Sequence, residues 1–262
     1  MDSSTAYRHR RQRWIIRHSY FLLTGLLLML FQLHAQVLRV VASAEDYPPF
    51  YYQQGETLSG FSVEVLQAVA TELQLTLHWQ RLPWNRMMQH VASGKADVIS
   101  VFYKNPARAS QFYFSNESYY REPLVLLCAQ PCPVQYDGRL SSLEQQTIAV
   151  VRGYFYSMAL EQLQFNRAEV VDSDTMLFKQ LLNGRLQLGI ASLVVAQHTL
   201  KTELENNKIQ VLYPALDYGE IFFAFSKQST VTPAFVAKFD QALQHYKASA
   251  AYAALLQRYR LD

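Results

Sequence analysis

The chain has 262 residues, half of them hydrophobic and 17% charged, a composition of globular rather than disordered proteins. Its net charge of +3 belongs to the N-terminus. Residues 1–35 hold five Arg and one Asp, a sum of +4, so residues 36–262 carry −1; a near-neutral body gives no electrostatic case for nucleic-acid binding.

Arg8, Arg10, Arg11, Arg13 and Arg17 precede an apolar run from Phe21 to Phe31, and Leu33-His34-Ala35 ends on a small residue. Charged region, short apolar core and small residue at the cut predict a cleavable secretory signal over 1–35 and a periplasmic location for the rest. The run falls short of the ~20 residues of a spanning helix. An uncleaved N-terminal anchor is the alternative that the long charged region leaves open.

Leu38 to Ser43 reads as a buried strand. Glu45 to Gly55, punctuated by Pro48, Pro49 and Gly55, reads as loop. Phe61, Val65, Leu66, Val69 and Leu73 have helical spacing. Leu75 to Trp79 alternates as a strand does. Trp84 to Ser93 is a predicted helix stopped by Gly94, and Ala96 to Phe102 is the next strand. The order β-α-β-α-β predicts an open sheet covered by helices.

The pattern then restarts. Strands are predicted over Pro123–Cys128, Thr147–Val151, Ala168–Val171, Leu186–Ala191, Ile209–Tyr213 and Ile221–Phe225. Helices are predicted from Gly153 to about Phe165, over Thr175–Leu182 with Asp174 as N-cap and Gly184 past the end, over Leu193–Leu200, from Thr232-Pro233, and over about 248–259. Two similar α/β halves leave a cleft at the carboxyl ends of their strands, where such folds bind ligands.

Asn105-Pro106-Ala107-Arg108 is the sharpest local signal. Asn caps helices and Pro suits the first helical position. Arg108 then sits beside free N–H groups at the positive end of the helix dipole, a place suited to a carboxylate or phosphate. The alternative is a surface pair with Asp97 or Glu117. Tyr47 and Trp84 each follow a strand beside a proline. Flat rings there can sandwich an apolar or cationic group, or simply pack the core. Arg152-Gly153-Tyr154 follows a buried strand and opens a predicted helix, where glycine lets an anion approach backbone N–H groups. Ser192 holds the matching strand end, with helix capping as its plain role.

Cys128 and Cys132, with Pro131 between them, point in an exported protein to a disulfide; two free thiols are the alternative. Zinc would need further ligands. No Gly-x-Ser-x-Gly, His-Glu-x-x-His or Walker sequence is present. Beyond residue 35 the histidines are His78, His90, His198 and His245, each isolated in a strand or helix body. No cofactor or metal is expected.

Tyr47-Pro48-Pro49-Phe50, Gly60-Phe61-Ser62-Val63, Pro83-Trp84-Asn85-Arg86, Gly94-Lys95-Ala96-Asp97 and Asn105-Pro106-Ala107-Arg108 together resemble the bacterial periplasmic solute-binding proteins of the polar amino acid type, family 3. The resemblance runs from about Leu38 to Asp262 and is closest over 38–127. It implies a type II, two-lobed periplasmic-binding-protein-like α/β fold, each lobe a mostly parallel sheet flanked by helices. Lobe 1 would be 36–122 plus 226–262, lobe 2 127–219, and the hinge strands 123–126 and 220–225.

By the same resemblance, Tyr47 and Trp84 face each other across the ligand and Asp97 lies in the strand leading to the pocket. Ser100 forms its wall, and Arg108 clamps a carboxylate with the Gly153-Tyr154 backbone. Amino-acid binders carry an Asp where this chain has Ser192. The resemblance then leaves the ammonium to another acid, such as Glu45 or Glu220, or implies a ligand without one. Arg86 is a further candidate at the cleft. The implied function is capture of a small carboxylate-bearing, amino-acid-like ligand by a monomer that serves an ABC-transporter permease. The alternatives are a dehydratase-like enzyme on the same scaffold, acting on a cyclic carboxylate, and a stand-alone sensory or scavenging protein.

Overall fold

The computed structural model describes residues 36–162 and 168–262; the signal predicted over 1–35 lies outside the described residues. Eleven strands follow in chain order: β1 (Gln36–Ser43), β2 (Tyr52–Gln54), β3 (Thr57–Ser59), β4 (Leu75–Leu82), β5 (Val98–Tyr103), β6 (Phe112–Phe114), β7 (Tyr120–Ala129), β8 (Ile148–Val151), β9 (Ala168–Val171), β10 (Leu188–Ser192) and β11 (Ile209–Ser226). Helices Phe61–Glu72, Trp84–Ala92, Pro106–Gln111, Asp174–Leu182, Leu193–Thr199, Pro233–Lys247 and Ala250–Tyr259 match predicted segments. Among the described residues no helix is long and apolar enough to cross a membrane.

The main sheet runs β4-β1-β5-β11-β7-β10-β8-β9, with β6 on β11. β1–β5, β10–β8 and β8–β9 are parallel. The central pairings β5–β11, β11–β7 and β7–β10 are antiparallel. β5 and β10 are buried along almost their whole length, as strands covered on both faces must be, and both read as continuous apolar runs. The helix Phe61–Glu72 turns Phe61, Val65, Leu66 and Val69 into the core, the stripe that a 3.6-residue period puts on one face.

The structure departs from the sequence reading in several places, among them the unpredicted β6 and a short helix Lys201–Glu205. β2 and β3 form a small hairpin in and after the predicted loop. Asp174 does not cap its helix: Ser173 does, its Oγ accepting from the Met176 N–H at 3.2 Å. The helix predicted from Gly153 is absent over 153–157 and forms only at Met158–Gln162; its predicted end near Phe165 lies outside the described residues. The strands expected at 209–213 and 221–225 are one strand, β11. Its pairing with β7 breaks between Leu212 and Asp217, around Pro214, which has no N–H for a ladder. Cys128 and Cys132 are joined in a disulfide, with Cα atoms 5.7 Å apart.

Candidate ligand-binding site

Arg108 is positioned by its own short helix. Asn105 caps it, Oδ1 accepting from the Arg108 N–H at 2.7 Å, and Pro106 occupies the first turn. The guanidinium lies 4.0 Å from the Phe102 ring centroid. Nη1 donates to the Tyr103 carbonyl at 2.8 Å and Nη2 to the Gly153 carbonyl at 3.1 Å. Of its five N–H donors, two are thereby committed. Burial lowers the group to about 10, so it is fully charged at neutral pH.

The surface pairs weighed for Arg108 go elsewhere. Asp97 accepts from Arg39 Nη2 at 2.7 Å and Nε at 2.9 Å. These bonds hold it below its ordinary value although burial pushes the other way. Glu117 pairs with Lys247 at 3.2 Å.

Around Arg108 one cavity collects Tyr47, Trp84, Tyr103, Tyr154, Asp174 and Ser192, with Tyr51, Phe102 and Phe155 completing its rings. Tyr47 stands in the turn after β1, closed by the Tyr47 N–H to Tyr51 carbonyl bond of 2.8 Å, and its ring stacks on Phe50. Trp84 opens its helix behind Pro83. Its ring centroid is 5.0 Å from that of Tyr154, and Nε1 donates to the Gly153 carbonyl at 3.3 Å. Gly153 has φ +76°, and a Cβ there would lie 3.2 Å from Trp84 Nε1. Both the turn and the close approach require glycine.

Two acids belong to this site that the sequence reading did not name as such. Asp174, released from capping by Ser173, accepts from the Tyr154 hydroxyl at 2.8 Å. Burial pushes it up to about 6. Glu122, on β7, is fully buried directly behind the cavity wall. Tyr103 and Ser192 donate to its two oxygens, and Tyr47 donates at 3.3 Å. Burial pushes it up to about 7, against the pull of those three donors. The available signal was phase: Glu122 shares the inward face of β7 with Leu124 and Leu126.

The other candidates stand apart. Ser100 is buried with Oγ toward the Val41 carbonyl and does not line the cavity. Glu45 lies in an adjoining recess with Asp46 and Asp172. Glu220 is exposed on β11, in a recess beside Lys104 and Met158. Arg86 is exposed, two residues past Trp84 and so on another face of that helix. Ser192 both caps its helix, accepting from the Val195 N–H at 3.3 Å, and lines the cavity. Among the described residues no three His, Cys, Asp or Glu side chains gather to hold a metal ion. The arrangement offers one fixed cation, one exposed-to-cavity acid and several flat rings, which is equipment for recognition.

Residues 39–262 match the family described as bacterial extracellular solute-binding proteins, family 3. The "Probable histidine-binding protein" of Campylobacter jejuni is 26% identical over 229 residues, 85% of this chain and 84% of the relative. The "Probable amino-acid-binding protein YxeM" of Bacillus subtilis is 24% identical over 196 residues, 73% and 72% of the two chains. A solved ancestral arginine-binding protein bound to arginine has a TM-score of 0.73 at 19% identity, covering 85% of this chain and 97% of that one. This last likeness is one of fold, that of the periplasmic binding proteins.

Proposed function

The chain belongs to the bacterial extracellular solute-binding proteins, family 3, and from that premise we propose that it captures an amino-acid-like solute between two lobes in the periplasm. Delivery to the permease of an ABC importer, as a monomer, completes the reading. Its support is one cavity lined by a half-buried guanidinium, Arg108, and a buried carboxyl, Asp174. A zwitterion is the small molecule that satisfies both.

Arg108 takes the carboxylate with its uncommitted N–H donors. Asp174 takes the ammonium, the task the sequence reading gave to Glu45 or Glu220. Tyr47, Trp84 and Tyr154 hold the side chain. The lobes are 36–122 with 226–262, and 127–219. The hinge is 123–126 with 220–225, where β7 and β11 run side by side between β5 and β10. Three contacts close the cleft: the Trp84–Tyr154 ring pair and the two bonds from Arg108 and Trp84 to the Gly153 carbonyl. A ligand with a side chain enters when these part, and excluding water afterwards strengthens the Arg108–carboxylate pair.

Calorimetry on residues 36–262 with amino acids, polyamines, organic acids and cyclic carboxylates tests this. Amino acids should bind and raise Tm by linkage. Binding restricted to polyamines or to acids without an ammonium refutes it. One observation favours a second reading, a dehydratase: Asp174, its pKa raised by burial, lines the same cavity as Arg108, as a general acid for a bound carboxylate would. Turnover of a cyclic hydroxy-carboxylate would establish that activity; binding without turnover is expected.

A further inference from the structure

Glu122 has no place in the function just proposed, yet it is the most enclosed acid near the cavity. It sits on β7 opposite Gly219 of β11, and it draws on three separate segments. Tyr47 comes from the turn after β1, Tyr103 from the end of β5, and Ser192 from the end of β10. All three side chains also line the cavity. Gly219 leaves room for Tyr103 there: a Cβ at residue 219 would collide with its Cε2, Cζ and hydroxyl oxygen.

A hydroxyl has one proton and two lone pairs. When Glu122 is ionised it can only accept, so each of these hydroxyls spends its proton on it. We infer that Glu122 is a specificity-determining positioning residue: by taking the protons of Tyr47, Tyr103 and Ser192 it leaves this wall with lone pairs alone, so the wall accepts a cationic or N–H group of the ligand and turns away an anion. This deepens the proposed function and rests on it, adding a second polar contact for the ligand's donor end beside Asp174. Ser192 contributes least, because its oxygen already accepts from the Val195 N–H.

The arrangement couples binding to a proton. The groups facing Glu122 are Tyr47, Tyr103 and Ser192 by hydrogen bond and Asp174 by charge. Tyr119 and Tyr120 feel its charge in turn. Burial pushes Glu122 up to about 7, so near neutrality part of the protein carries a protonated carboxyl whose own O–H must bond one of the hydroxyls. That hydroxyl can then turn its proton into the cavity. A cationic ligand favours the other state: the carboxyl O–H bond breaks, the proton leaves to water, and three lone-pair faces are restored.

The test uses residues 36–262, wild type and Glu122→Gln. L-arginine, L-histidine, L-glutamine and pyruvate are titrated by calorimetry in two buffers of different ionisation enthalpy between about pH 6.5 and 8; Asp174, pushed up to about 6, still holds part of a proton at the acid end, so the Glu122 share is read as the difference between wild type and Glu122→Gln. Expected for wild type is proton release on binding an amino acid, with affinity falling up to tenfold per pH unit below about 7. Glu122→Gln should lose the Glu122 share of the proton release, flatten the profile near about pH 7 and bind at least tenfold more weakly at pH 8, because an amide donates as well as accepts. Amino-acid binding without proton release, or with the wild-type profile kept in Glu122→Gln, overturns the inference; so does tight binding of pyruvate at this wall. A ligand-free readout decides it apart from the function. The near-ultraviolet tyrosine spectrum of wild type should shift with a midpoint near about 7, and that of Glu122→Gln should not. If no amino acid binds, the proposed function fails while this titration still stands or sinks the Glu122 assignment.

Discussion

The Arg108 corner and the Glu122 wall are built in opposite ways. The corner is local: Asn105, Pro106 and Arg108 are nearly consecutive, and the helix they start carries its own cap. The wall is assembled from four distant segments, with Tyr47, Tyr103, Glu122 and Ser192 brought together only by the sheet order. Their charges differ as well. Arg108 stays ionised despite burial, since even at about 10 its proton is secure. Glu122 and Asp174 are pushed toward neutrality, to about 7 and about 6. A guanidinium tolerates enclosure because it is weakly hydrated and widely delocalised, whereas a carboxylate needs donors to stay charged.

The sharpest way to break this contrast is to remove its fixed pole. Arg108→Ala should lower affinity for any carboxylate-bearing ligand by about 2–5 kcal/mol, with circular dichroism unchanged. Retained affinity in calorimetry would unseat the clamp. The next effect is on ligand-free stability. Both acids have folded pKa values above their ordinary values of 4.5 and 3.8, so the folded state binds more protons than the unfolded one. Their contribution is therefore present at acid pH and is lost as pH rises through about 6 and about 7. For Glu122 alone the loss is on the order of 3 kcal/mol. Tm should fall between about pH 5 and pH 8, and Glu122→Gln should flatten the curve while raising Tm at the alkaline end. A Tm that climbs across this range would contradict the burial of both acids.

Asp174→Asn should be milder for binding, weakening amino acids by roughly 10- to 100-fold, about 1.4–2.8 kcal/mol, and their 2-oxo acids much less. Equal losses in a competition assay would deny it the ammonium. Trp84→Ala should have the smallest effect, about 1 kcal/mol, felt by ligands with side chains and not by glycine. An equal loss for glycine would mean that Trp84 only supports the wall.

The sequence by itself determined most strands, most helices and the Arg108 corner, because each is written in neighbouring residues. Period-2 and period-3.6 stripes, an Asn-Pro helix start and a pair of cysteines four apart are such signals. It also singled out Tyr47, Trp84, Tyr154 and Ser192 through their motifs, and these four line one cavity. What it could not settle was which of two adjacent capping residues would cap. Ser173 took the helix end and left Asp174 to the cavity, a choice made by the Tyr154 hydroxyl across the fold. Nor could it join 209–226 into one strand, because pairing with β7 on both sides of the gap at Pro214 is a tertiary contact. Glu122 is the clearest case. Its inward phase on β7 was legible, but the three hydroxyls that make its burial tolerable come from far along the chain, and only tertiary structure brings a buried charge its donors.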